Sequence, residues 1–231
     1  MPPAPALHRF DDAESLAGAL AGRVAGQLRG ALDARGSALL AVSGGSTPKR
    51  FLEHLSRETL DWSKVVVTLV DERWVPESSE RSNARLVKAS LLQHEAAAAD
   101  FVPLYLEAPT PEAAMATLRV RAAALATRFD VVVLGMGGDG HTASFFSGGD
   151  RLAEALDLKG QARVLPMRAP DAGEPRITFT LPALLDSRAL FLHIEGEAKR
   201  AVLDAARESG SALPIAAVLR AAPQMETFWC P

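Results

Sequence analysis

Two stretches of the chain are apolar without alternation: residues 65–70 (VVVTLV) and 131–134 (VVVL). Both are rich in β-branched side chains, the pattern of strands covered on both faces. Residues 38–43, 163–167, 177–180 and 190–195 predict weaker strands. Between them, stretches rich in Ala, Leu, Arg and Glu at 12–34, 48–60, 82–94, 111–128 and 197–208 predict helices. Strand–helix alternation of this kind predicts an α/β fold with a mostly parallel sheet flanked by helices. Residues 169–175 (APDAGEP) are turn-rich, but too short to read as a linker. No internal repeat is evident, so residues 1–231 read as a single domain.

In open α/β sheets ligands bind beyond the carboxyl ends of the strands, so the chemistry is sought in the loops that leave those ends. After the first strand comes Ser43-Gly44-Gly45-Ser46-Thr47-Pro48. Two glycines allow a tight turn with exposed N–H groups, two hydroxyls come next, and Pro48 suits the first turn of a helix. Such a loop suits an anion, phosphate above all. It lacks the G-K-[ST] ending of a Walker loop, and a plain Gly-Ser turn would account for the same residues. After the second strand come Asp71-Glu72-Arg73-Trp74-Val75-Pro76 and then Ser82-Asn83. Two carboxylates and an arginine fork suit sugar hydroxyls or phosphate; a surface ion pair with Trp74 packed over the core is the alternative.

The third strand runs into Gly135-Met136-Gly137-Gly138-Asp139-Gly140-His141-Thr142-Ala143-Ser144. Gly135, Gly137 and Gly140 satisfy G-x-G-x-x-G, but a dinucleotide site also needs an acidic residue closing a strand about 20 residues on. Residues 152–158 look helical instead, and Asp139 would oppose a pyrophosphate. The segment is better read as a glycine turn presenting Asp139 and His141 at the start of a helix. There His141 is expected to stay neutral and able to accept a proton. The remaining histidines, His8, His54, His94 and His193, are expected to be surface or packing residues. Arg176 begins a strand and Lys199 opens a helix, each placing one cation near a strand end.

Composition narrows the class. With 231 residues, 48% hydrophobic and 23% charged, the chain can bury a substantial core and is not disordered. The net charge of −3 gives no global drive toward nucleic acid or anionic membrane. One cysteine forms no internal disulfide. No apolar run reaches the ~18–20 residues of a membrane helix, and the start has no basic-then-apolar leader. A cytoplasmic protein is expected. Neither metal-ligand spacing nor a G-x-S-x-G nucleophile elbow is present.

Taken in order, SGGSTP, DERWVP with SN beyond it, GMGGDGHTAS, RITFTLP, GEAK and LPIAAV resemble the 6-phosphogluconolactonase family. That family lies within the wider group that includes glucosamine-6-phosphate isomerase/deaminase. The resemblance spans about residues 43–229 and implies a modified doubly wound, Rossmann-like α/β domain. It implies hydrolysis of 6-phospho-D-glucono-1,5-lactone to 6-phosphogluconate in the oxidative pentose phosphate pathway, with no metal or organic cofactor. The expected partner is a sugar-phosphate lactone, not nucleic acid or membrane, and the expected state is a monomer.

Carried over by position, the resemblance makes His141 the general base and Asp139 the group that orients it. The loop of Ser43, Gly44, Gly45, Ser46 and Thr47, with Arg176 and Lys199, would hold the phosphate. Asp71, Arg73, Asn83 and Gly137 would line the substrate pocket. Backbone N–H groups near Gly44 and Gly45 or around Gly137 are candidates for the oxyanion. The chain departs from many family members in having Phe145-Phe146-Ser147-Gly148-Gly149 in place of a leucine–phenylalanine–proline ending. The isomerase/deaminase pattern typically has tyrosine where Arg73 stands and Asn-Glu-Pro after the DGH segment; this chain lacks both. A non-enzymatic sugar-phosphate sensor would not need Asp139 and His141 together.

Overall fold

The computed structural model describes residues 6–125 and 128–231. The absence of a leader, so far as it rests on residues 1–5, and the helical expectation at residues 126–127 lie outside them. In chain order the elements are β1 (Leu7–Arg9), α1 (Ala13–Arg35), β2 (Ala38–Val42), α2 (Lys49–Leu55), β3 (Val65–Leu69), β4 (Asp71–Arg73), α3 (Asn83–Ser90), β5 (Asp100–Val102) and α4 (Pro111–Ala124). Beyond these come β6 (Phe129–Gly135), α5 (Leu152–Leu156), β7 (Val164–Met167), β8 (Arg176–Phe179), α6 (Leu181–Leu185), β9 (Ser187–Glu195), α7 (Glu197–Arg207), α8 (Pro214–Ala221) and β10 (Glu226–Cys230).

Seven strands form one sheet in the order β1-β10-β9-β6-β2-β3-β5, and every pairing in it is parallel. The two apolar runs become the inner strands β3 and β6, with β6 buried through Leu134, and the weaker expectation at 38–43 becomes β2, buried throughout. Parallel strands need covering on both faces, which explains their non-alternating sequences. One cover is α1. Asp12 caps its first turn by accepting from Ser15 N at 2.7 Å, and Gly36, at φ +73°, ends it in the left-handed conformation a side chain would resist. Leu16, Leu20, Val24 and Leu28 recur along one face and are fully buried.

From β2 the chain winds outward through β3 and β5; from β6 it winds the other way through β9 and β10. The topological switch point therefore lies between the carboxyl ends of β2 and β6, the crevice where doubly wound sheets bind ligands. A second sheet was not evident in the sequence. Residues 163–167 and 177–180 do form strands, but β7 and β8 pair antiparallel with each other and with β4 in a separate three-stranded sheet, order β4-β8-β7. The helix expected over 48–60 stops at Leu55, where the chain turns and the Ser56 carbonyl accepts from Ala96 N. Among the described residues no helix is long and apolar enough to cross a membrane.

Candidate active site

A cavity of about 300 Å³ opens at the switch point. Its walls come from the loops after β2 and β6, from β4 and β8 of the small sheet, and from the start of α7. Every residue expected to bind substrate lines it: Ser43, Gly44, Gly45, Ser46, Thr47, Asp71, Arg73, Asn83, Gly137, Arg176 and Lys199. His141 lines it too, with Asp139 behind the ring.

The loop after β2 leaves its backbone donors unspent. Backbone N–H groups of Gly44, Gly45, Ser46 and Thr47 donate no hydrogen bond among the described residues. Gly45 takes φ +97°. Gly44 has no room for a side chain, because a Cβ there would lie 1.8 Å from Asn83 Oδ1. The Ser43 hydroxyl is already committed. It donates to Val133 O at 3.1 Å and accepts from Gly135 N at 2.9 Å, stitching the end of β2 to the end of β6. Lys199 Nζ donates to Thr47 Oγ1 at 2.9 Å. Burial pushes the Lys199 amine down, and the charge of Glu195 opposes that push.

Asp71 and Glu72 are adjacent but face opposite ways, as strand alternation requires. Asp71 reaches the cavity, where its Oδ2 accepts from Ser144 Oγ at 2.6 Å and stands 4.0 Å from Arg176 Nη1. Glu72, fully buried, caps α3: its oxygens accept from the backbone N–H groups of Arg73, Asn83 and Ala84 at 2.7–2.8 Å. Burial raises its pKa against those donors. Asn83 Nδ2 in turn donates to Asp71 O at 2.9 Å. The surface ion pair suggested for this segment is absent, since both carboxylates are buried. Trp74 packs away from the site, with its Nε1–H on Ala108 O and its ring against Tyr105.

No helix begins at His141. Residues 136–151 are turns, and the next helix is α5, so a helix dipole does not act on the imidazole. Two hydrogen bonds, Gly137 N to His141 O and Gly140 N to Gly137 O, close a tight glycine turn instead. His141 Nδ1 lies 2.5 Å from Asp139 Oδ1. A carboxylate accepts, so Nδ1 carries the proton and Nε2 keeps its lone pair. Burial pushes the Asp139 carboxyl up, but the hydrogen bonds from His141, side chain and backbone, help to outweigh it and hold that carboxyl below its ordinary value. Gly137 must be glycine: a Cβ would sit 2.3 Å from the His141 ring. Its N–H, spent on His141 O, is not free for an oxyanion; those of Gly44 and Gly45 are.

Phe146 packs on both sides of the site, 4.5 Å from the His141 ring and 5.2 Å from the Arg176 guanidinium. The late LPIAAV segment acquires a role as well. Leu213 packs on Gly140, and Ile215 N donates to Gly140 O at 2.9 Å, so the start of α8 buttresses the glycine turn.

The sequence pattern did not single out Thr142, whose hydroxyl donates to Gly135 O, or His193, which is 2% exposed and lines the cavity. A polar residue inside the apolar run at 190–195, with Glu195 two positions on, was the signal for the second. Among the described residues no group of three or more His, Cys, Asp or Glu is placed to hold a metal ion.

The family model described as glucosamine-6-phosphate isomerases/6-phosphogluconolactonase matches residues 11–229. The chain belongs to that family. It is 55% identical over 228 residues to a 6-phosphogluconolactonase of Rhizobium meliloti, covering 97% of this chain and 98% of that one. It is 44% identical to a 6-phosphogluconolactonase of Pseudomonas aeruginosa, over 100% of this chain and 97% of the relative. A crystal structure of a 6-phosphogluconolactonase from Shewanella baltica superposes with a TM-score of 0.93 at 39% identity, covering all of both chains.

Proposed function

We propose that the chain hydrolyses 6-phospho-D-glucono-1,5-lactone to 6-phosphogluconate with His141 as general base. Membership of the family and its lactonase relatives support the activity; the Asp139–His141 pair beside a loop of unpaired N–H groups carries the mechanism. The phosphate is received by the N–H groups of Ser46 and Thr47 with Lys199, and by Arg176. That anchor places the ring carbonyl at His141, so binding energy far from the reacting carbon is used for orientation.

His141 Nε2 takes a proton from water as the water oxygen attacks the lactone carbonyl. Asp139, bonded to Nδ1–H, faces the positive charge that forms. The tetrahedral oxyanion is met by the N–H groups of Gly44 and Gly45. On collapse the bond to the ring oxygen breaks, and that oxygen takes the proton back from His141. The carboxylic acid formed then ionises.

The isomerase/deaminase alternative is less well served. Where its pattern carries a glutamate, this chain has Phe145 and Phe146, both buried. The carboxylate that does line the cavity, Asp71, is committed to Ser144 and Arg176. The first and last strands, β1 and β10, pair in one sheet, which suits a single domain. The lone cysteine, buried at Cys230, suits a reducing cytoplasm.

Purified protein should accelerate the loss of freshly made 6-phosphogluconolactone, and His141→Ala should lower kcat by about 10²–10⁴-fold. If the lactone decays at the buffer rate while glucosamine 6-phosphate releases ammonia, the lactonase assignment fails.

A further inference from the structure

A second cavity, of about 620 Å³, lies at the opposite end of the main sheet. It opens between the end of α4 and the starts of β2, β6 and β9. The five residues of β2, at about 3.3 Å each, separate it from the cavity at the switch point. Its volume is that of a small-molecule site. The floor is apolar: Leu39, Val66, Phe101, Val102 and Leu125 line it. Val66, Phe101 and Val102 are left half-buried there.

The rim is cationic. Arg35, Arg121, Arg128 and Arg188 line the cavity against one carboxylate, Asp130. Asp130 is buried and committed. Its Oδ2 accepts from Leu39 N at 2.8 Å, while its Oδ1 is bonded by Arg35 and lies 3.3 Å from Arg188 Nε. One anchored carboxylate thus holds two guanidinium groups at the mouth. Each keeps N–H donors to spare, since a guanidinium has five. Arg128 Nε stands 3.6 Å from Asp186 Oδ1, and Arg128 also donates to Ser187 O at 3.3 Å. Arg121, half-buried on α4, has no hydrogen bond or ion pair for its guanidinium among the described residues. Even with Asp186 counted, the arginines outnumber the carboxylates by two, in a chain whose net charge is −3.

We propose that this cavity binds an apolar anion: a small molecule whose hydrocarbon body lies on the floor around Leu39 and Phe101, and whose carboxylate, sulfonate or phosphate head is held by Arg121 with Arg35 and Arg188. A guanidinium fork suits such a head, and beside an apolar floor the attraction is screened less than in open water. Neither half suffices alone. A neutral hydrocarbon leaves the cations unmatched, and a bare anion leaves the floor in water. The occupant is not the sugar lactone, whose hydroxyls would be set against an apolar surface.

The test uses 1-anilinonaphthalene-8-sulfonate, which carries both halves. N-phenyl-1-naphthylamine is the same body without the charge. Fluorescence and calorimetric titration should show one sulfonate dye per chain, with the neutral body bound about tenfold more weakly. Arg121→Glu, which breaks no native contact, should weaken the dye about tenfold. Ala124→Phe, which fills the cavity from an exposed helix position, should weaken it similarly. Lys199→Ala alters the other cavity and should leave dye binding unchanged. Octanoate and octyl phosphate, competed against the dye, tell a carboxylate head from a phosphate one. Displacement by either supports the site, and displacement by neither overturns it. Dye binding that survives both Arg121→Glu and Ala124→Phe, that is lost in Lys199→Ala, or that is matched by the neutral body also overturns it. Misfolding cannot imitate the expected result, because a loosened chain takes up more dye rather than less.

Discussion

Two histidines share one cavity, each bonded to a carboxylate two residues away, and their surroundings differ in almost every other respect. His141 and Asp139 stand on a glycine turn, with side chains 33% and 54% exposed. His193 is set in a parallel strand with its side chain 2% exposed. In the first pair the carboxylate takes Nδ1–H and leaves Nε2 free beside open space; in the second it takes Nε2–H and leaves a buried Nδ1 without a partner. A histidine and a carboxylate two residues apart thus make either a group that can exchange protons with substrate or a pair packed into the end of a strand. Solvent access and the ring nitrogen left over decide which.

The contrast is sharpest in variants that separate activity from stability. Gly137→Ala should be among the most damaging to turnover, because the added methyl occupies the His141 ring position; kcat should approach that of His141→Ala with KM far less affected. Recovery of normal kcat would show that the turn is looser than its geometry. Next, His141→Ala should leave the urea midpoint nearly unchanged, whereas His193→Ala should destabilise the fold by about 2 kcal/mol, chiefly from the cavity it opens among buried neighbours. Equal unfolding midpoints would erase the distinction between the two pairs.

The smallest effect concerns acid. Glu195 has a folded pKa below its ordinary 4.5, so its contribution to stability is fully present above that value and is lost as pH falls through the lowered one. The stability gap between the native protein and His193→Phe should therefore narrow below about pH 4.5. A gap that is flat with pH would mean that the pair contributes nothing as an ion–dipole contact.

Much of this was legible in the sequence because the signals were local. Apolar runs at 65–70 and 131–134 mark buried strands, and the glycines at 44–45 and 135–140 mark loops that need close backbone approach. The separation of Asp71 from Glu72 was not legible. It depends on β4 pairing with β8, more than a hundred residues later in the chain, and on the start of α3 swinging under Glu72 to be capped. The expected helix at His141 failed for a related reason. Hydrogen bonds from Gly137 and Gly140, with Leu213 and Ile215 pressing from the far end of the chain, favour a closed turn over a helical one. His193 is not marked by the sequence, because a polar residue within an apolar strand is ordinarily a packing residue, and nothing nearby in sequence shows that its strand ends against a cavity.

The Ser43 hydroxyl, bridging β2 to β6, bears on selectivity. It welds the strand that carries the anion loop to the strand that carries the glycine turn, so the two cannot slide past one another. With the phosphate held at that loop as proposed, the site would work as a gauge of fixed span. A lactone whose phosphate sits one carbon nearer the carbonyl, or which has no phosphate, could enter the cavity and still present the wrong atom to His141.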